Sequence, residues 1–316
     1  MIAKQGSNRI YTRVRDAEGR TVIRVDGTSY NENRAFVYLS RHFRSKGLPV
    51  PEVLWVSEDG MSYTQEDLGD TILFDAIRHG RETGVFQPEE KKLLEKTIRA
   101  LAHIQTEGAQ GLDWKECFPV ESMDARAVRW DLNYFKYCFL KGTKTEFGEP
   151  ELEDDFDALA GVTAVGQEEC GSFLYRDMQS RNVMIKDGEP YFIDFQGGRR
   201  GPTQYDVASF LWQAKANFPE ELREELIGAY LEELKAVDGE LEEAAWREKL
   251  PHFVLLRTLQ VLGAYGYRGY FERKPHFIES IPNAIRNLNQ LFAAHGDLQK
   301  KYPYIYAISN NLLLLL

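Results

Sequence analysis

The chain has 316 residues, more than the roughly 100–200 of an ordinary domain, so two lobes and a sizeable core are expected. A hydrophobic share of 43% and a charged share of 28% are those of a soluble globular chain rather than a disordered or membrane-embedded one. The 49 acidic against 39 basic residues leave a net charge of −10, which argues against nucleic acid as a partner but is compatible with a neutral or cationic small molecule.

In chain order, strand chemistry comes first. Ile10–Val14 and Thr21–Val25 flank a turn at Asp16-Ala17-Glu18-Gly19, and a helix over Asn31–Phe43 follows, with Phe36, Leu39 and Phe43 on one face and Ser29 or Asn31 as cap. Val53–Val56 and Met61–Gln65 form two more strands around Glu58-Asp59-Gly60. Beyond Gly69 the pattern turns helical. Glu89–Thr106 carries Leu94, Ile98 and Leu101 on one face, Gly108 stops it, and His103 near its end reads as a packed residue. Further helices are marked by Val207, Phe210, Leu211 and Ala214, and by Leu222, Leu226, Tyr230 and Leu234. The expected organisation is α+β, with a strand-rich N-terminal lobe over 1–66 and a larger helical lobe over 67–316.

Cys117, Cys138 and Cys170 show no CxxC spacing, so neither a disulfide framework nor a zinc cluster is indicated. The N-terminal residues lack an apolar core of signal-peptide length, Arg257 interrupts the longest apolar run, Phe253–Ala264, and the closing Leu312–Leu316 is too short to span a bilayer. A cytoplasmic protein with no membrane partner is expected.

The segment LYRDMQSRNVMIKDGEPYFIDF, Leu174–Phe195, carries the chemistry. Strands Val183–Ile185 and Tyr191–Ile193 enclose Asp187-Gly188, a strong hairpin signal because Gly accepts positive φ. Gly188 lies six residues after Asn182 and six before Asp194, so a hairpin folded about it brings both side chains to its open end. Asp177, five residues before Asn182, reaches the same point from the loop. An amide oxygen and a carboxylate suit Mg²⁺, and a free carboxylate can orient an attacking hydroxyl. Taken singly, each residue reads equally well as a turn cap or a strand-end polar group. The spacing of all three points to phosphoryl transfer.

These residues resemble a known family. YRDMQSRN, residues 175–182, is similar to the HxDxxxxN loop of the aminoglycoside phosphotransferase and choline kinase-like family, with Tyr175 where His is common. IDF ends at Phe195 in place of the kinase DFG, with Gln196 at the Gly position, and GPTQYDVASF, Gly201–Phe210, resembles the family's GPxxYDxA segment. SRNVMI, IDFQ, RRGPTQYDVAS and LLRTLQVLGAYG resemble the branch of bacterial kinases acting on N-acetylmuramate and N-acetylglucosamine.

The resemblance implies a two-lobed protein-kinase-like fold and an ATP-dependent kinase acting on a hydroxyl of an amino sugar. Mg²⁺ would sit on Asn182 and Asp194, and Asp177 would serve as catalytic base. Gln65, Glu66, Asp67 and Leu68 match the adenine-binding hinge. No GxGxxG loop is present; Gly6-Ser7-Asn8-Arg9 either meets the phosphates through Ser7, Asn8 and backbone amides or is an ordinary turn. Arg24 stands where kinases place a strand Lys, so it either meets a phosphate, pairs with Glu32, or is solvated. Asp131, beside Trp130, Tyr134, Phe135 and Tyr137, is an acceptor-ligand candidate, as are Arg199 and Arg257. Arg199 and its neighbour Arg200 read equally well as a solvent-facing pair, and Asp206 as a structural cap. The alternatives are an aminoglycoside or choline-type phosphotransferase and, from another class, a non-catalytic nucleotide-binding scaffold. Oligomeric state has no signature in the sequence.

Overall fold

Alternating burial builds the first sheet of the computed structural model, which describes residues 9–166 and 170–315. β1 (Ile10–Arg15) pairs antiparallel with β2 (Thr21–Asp26), and β2 in turn with β4 (Ser62–Glu66), whose other side takes β3 (Val53–Val56). Val22, Ile23 and Val25 of β2 are buried, while Arg24 faces out. The helix Tyr30–Ser45 starts at Ser29, whose hydroxyl accepts from the Glu32 amide, and it buries Phe36, Leu39 and Phe43. Each of these elements lies within two residues of its expected bounds.

The helix Pro88–Thr106 opens on a capping box between Gln87 and Glu90, and its Leu94, Ile98 and Leu101 are fully buried. It packs against the helix Glu220–Val237, where the Tyr230 hydroxyl donates to Gln105 Oε1 at 2.5 Å. His103 departs from its expected core role. It is about one-third exposed and lies between two carboxylates, 2.8 Å from Glu107 and 2.9 Å from Glu233.

β5 (Phe173–Leu174), β6 (Val183–Lys186) and β7 (Glu189–Phe192) lead through the key segment to β8 (Arg199–Arg200), which pairs with β5. Asp187 and Gly188 both have positive φ, 54° and 76°, the geometry of a type I′ turn whose twist matches the strands it joins. Both strands run closer to the turn than expected. The centre of the hairpin falls between Asp187 and Gly188, so Asn182 lies opposite Ile193, with Asp194 one residue beyond.

Packing separates two compact units among the described residues. One is drawn from Met1–Glu121, Gly171–Thr203 and Glu220–Gly239, the other from Ser122–Cys170, Gln204–Pro219 and Glu240–Leu316. In the second unit the helix Glu243–Gly266 approaches the π-helical segment Phe135–Leu140, which continues the helix Ala125–Tyr134, so closely that a Cβ on Gly266 would lie 2.3 Å from the Cys138 carbonyl oxygen. The helix expected around Val207–Ala214 spans Thr203–Leu211. Among the described residues, no helix is long and apolar enough to cross a membrane.

Two consequences can be measured. Phe195 is fully buried and stacks on Phe36 at 4.9 Å, so Phe195→Ala should lower unfolding free energy by about 3–5 kcal/mol in denaturant titration. For His103, burial opposes the charged imidazole, yet Glu107 and Glu233 outweigh it and hold its pKa above the ordinary value. A raised folded-state pKa gives stability that is complete below the unfolded value of roughly 6.5 and is lost as pH climbs through the folded value. Between pH 6 and 9 the wild type should therefore lose up to about 1 kcal/mol that His103→Gln does not lose, the size expected of a solvent-screened pair.

Candidate active site

The loop that carries Asp177 is held from both ends. Tyr175 is buried, and its hydroxyl donates to the Ile193 carbonyl and lies 3.4 Å from that of Asn182, so the loop is tied to the strand that delivers Asp194. Arg176 takes a left-handed backbone, φ 80°, just before Asp177. A short 3₁₀ turn, Ser180–Asn182, follows, and the Arg181 guanidinium rests 3.7 Å over the Phe74 ring.

Asn182 donates its amide to the Asp177 carbonyl at 2.7 Å, which leaves Oδ1 as its acceptor atom. Across the hairpin, the Ile193 amide donates to the Asn182 carbonyl at 3.0 Å. Asp194 adopts φ 67°, a conformation rare for a residue with a Cβ and common at functional sites. The Gln196 amide donates to Asp194 Oδ1 at 2.7 Å, while among the described residues Oδ2 accepts no hydrogen bond. Burial is the largest influence on the Asp194 carboxyl and pushes its pKa up, moderated by the 37% of the side chain still open to solvent. Gln196 and Arg9 oppose that push; the Asp177 and Glu32 carboxylates add to it.

Asn182 Oδ1 and Asp194 Oδ2 are hard oxygens at one end of one hairpin. They fit Mg²⁺, which commonly takes one or two protein ligands and draws the rest from phosphate and water. In keeping with so small a donor set, no cluster of three His, Cys, Asp or Glu is grouped for a metal among the described residues.

Other expected residues fall variously. Ser7 and Asn8 lie outside the described residues. Gln65 is buried within β4; Glu66 accepts from Lys186 at 2.7 Å, and its amide already donates to the Glu52 carbonyl at 2.8 Å. Asp67 holds Arg13 at 2.6 Å, and Leu68 is buried. Arg24 meets neither Glu32 nor the Asp177 loop: its guanidinium lies 3.0 Å from Asp26, on the solvent side of the sheet. Glu32 is met instead by Arg9, at 3.1 Å, and the same guanidinium lies 3.6 Å from Asp194. Local pattern gave no sign of Arg9, which precedes the first strand and acquires its partners only through the tertiary fold.

Arg199 is buried, not solvent-facing, and donates through Nε and Nη2 to the Gly197 carbonyl; Arg200 lies 4.7 Å over Trp114. Asp131 and Arg257 belong to the other compact unit, where both are buried and Arg257 Nη1 lies 3.5 Å from the Tyr205 hydroxyl. Asp206 is fully buried in the first turn of its helix, where a carboxylate favours the helix dipole.

An N-acetylmuramate/N-acetylglucosamine kinase of Neisseria meningitidis serogroup B is 25% identical over 306 residues, covering 94% of this chain and 86% of the relative. A protein of the same name from Pseudomonas aeruginosa is 22% identical over 88% of this chain and 79% of its own. A solved amicoumacin kinase superposes with a TM-score of 0.64 at 12% identity, covering 92% of this chain and 87% of that one, which supports the α+β kinase-like fold. The model of the phosphotransferase enzyme family matches residues 2–246, and the chain belongs to that family as a kinase.

Proposed function

We propose that this kinase transfers the γ-phosphoryl group of ATP to a hydroxyl of an amino sugar, N-acetylmuramate or N-acetylglucosamine. Two relatives bearing that name, matched over 86% and 79% of their length, are the observation that carries the acceptor class. The three polar residues gathered at the open end of the hairpin support the chemistry.

In this reading Asn182 and Asp194 hold Mg²⁺, which would supply charge neutralisation along the phosphates. Asp177 orients the acceptor hydroxyl and takes its proton as the oxygen attacks the γ-phosphorus and the bond to the bridging oxygen of ADP breaks. Positioning and charge do most of the work of phosphoryl transfer, so few side chains suffice. Because the Glu66 amide is already used within the sheet, the hinge contact to adenine is assigned to the backbone of Asp67 and Leu68. The nucleotide-binding lobe keeps its proposed limit at residue 66. Ser7 and Asn8 stay proposed for the phosphates, and Asp131, Arg199 and Arg257 for the acceptor.

The acceptor is tested by ADP release and phosphorus NMR with N-acetylmuramate, N-acetylglucosamine, kanamycin and choline. An N-acetyl sugar consumed to give a sugar phosphate is the expected result; turnover of kanamycin or choline alone would overturn the acceptor assignment. For Asp177→Asn, kcat should fall by about 10²–10⁴ while ATP affinity stays within a factor of about two, since general-base assistance contributes that range. A turn cap would show the reverse, a lowered thermal midpoint with normal turnover.

A further inference from the structure

We infer that Arg9 is the positioning cation of the metal–nucleotide site, in place of a strand-borne lysine or Arg24. The inference rests on the reading of Asp194 as a metal ligand. Arg9 lies just ahead of β1, its side chain only 3% exposed, and its two terminal nitrogens reach different carboxylates: Nη2 lies 3.1 Å from Glu32 on the helix Tyr30–Ser45, and Nη1 lies 3.6 Å from Asp194. A buried guanidinium is tolerated only where anions meet it, and its rigid fork can span two of them where an ammonium would meet one. Glu32 and Asp194 are themselves 42% and 37% exposed, so one buried cation underlies two carboxylates that both open toward solvent.

The atoms involved give the arrangement a direction. Arg9 and Gln196 both address Asp194 through Oδ1, at 3.6 and 2.7 Å, and leave Oδ2 to face an incoming cation. Arg9 thus aims the carboxylate and ties it to the first turn of the helix. Arg24, paired with Asp26 and with its side chain 49% exposed, is placed to do neither.

The test is calorimetric titration of ADP with and without Mg²⁺, alongside thermal midpoints, for Arg9→Met, Arg9→Lys, Arg24→Met, Asp194→Asn and the Arg9→Met/Asp194→Asn pair. Residues that orient a metal ligand typically change metal affinity by about 10–100-fold, so Arg9→Met should lose that much of the Mg²⁺-dependent gain in ADP affinity and keep its metal-free affinity. Arg9→Lys, which protects the fold if Arg9→Met is unstable, should recover only part of the gain. The double variant should lose no more than Asp194→Asn alone. A lowered midpoint with the Mg²⁺-dependent gain intact in Arg9→Met and Arg9→Lys would make Arg9 merely structural and overturn the inference. Loss in Arg24→Met alone would overturn it too, returning the role to the strand. An unchanged gain in Asp194→Asn would instead remove the metal reading, and Arg9's role with it.

Discussion

The ring of Phe195 is the point on which the candidate site depends. It stacks on Phe36 of the first helix at 4.9 Å and meets the edges of Phe43 and Tyr175 at 5.5 and 6.3 Å, while Phe36 continues the stack to Tyr63 of β4 at 5.1 Å. Sheet, helix, loop and hairpin therefore share one apolar contact. Aromatic packing in offset or edge geometry adds to burial and restricts each ring's orientation. With Phe195 seated, the backbone on either side has little freedom. Asp194 is held in its left-handed conformation, and Gln196 comes within hydrogen-bonding distance of the carboxylate it follows by two residues.

Tyr175 extends the same constraint to the loop. A buried phenol reaches further than an imidazole, and here it spans to the Ile193 carbonyl, joining the residue two before Asp177 to the residue just before Asp194. Substitution of the usual His is thus accommodated by a different donor serving the neighbouring strand. The stacking of Arg181 on Phe74 and the hydrogen bond donated by the Asn182 side-chain amide to the Asp177 carbonyl restrict the loop further. The expectation of a scaffold without catalysis rested on the missing strand lysine and glycine-rich loop; membership in the phosphotransferase family and kinase relatives answer it.

Much of this was legible in the chain because it is local. Strand alternation around Asp16–Gly19, the capping signal at Ser29, and the Asp-Gly turn each carry their own physical cause within a few residues. The hairpin register was off by one because symmetry about Gly188 ignores that a type I′ turn uses two central residues. For Arg24 the solvated reading held, with Asp26 as its partner, while His103 was misjudged for a different reason: period alone says which face a residue occupies, not which carboxylates the tertiary fold brings to that face, and His103 met Glu233 from a helix 130 positions away. Arg9 had no periodic context at all.

The charge balance of the site follows from these placements. Glu32, Asp177 and Asp194 converge electrostatically on one region, and burial raises the cost of keeping Asp194 ionised there. Arg9 sets one positive charge between two of them, Glu32 and Asp194. In the proposed reading those carboxylates favour nucleotide delivered with a divalent cation, since free ATP would bring further negative charge to them. The orientation of Asp194 matters as much as its charge: a carboxylate free to turn both oxygens toward Arg9 would satisfy itself and present nothing. Gln196, standing where kinases have glycine, prevents this by sharing Oδ1 with Arg9, so the departure from the kinase pattern at one position complements the departure at the other.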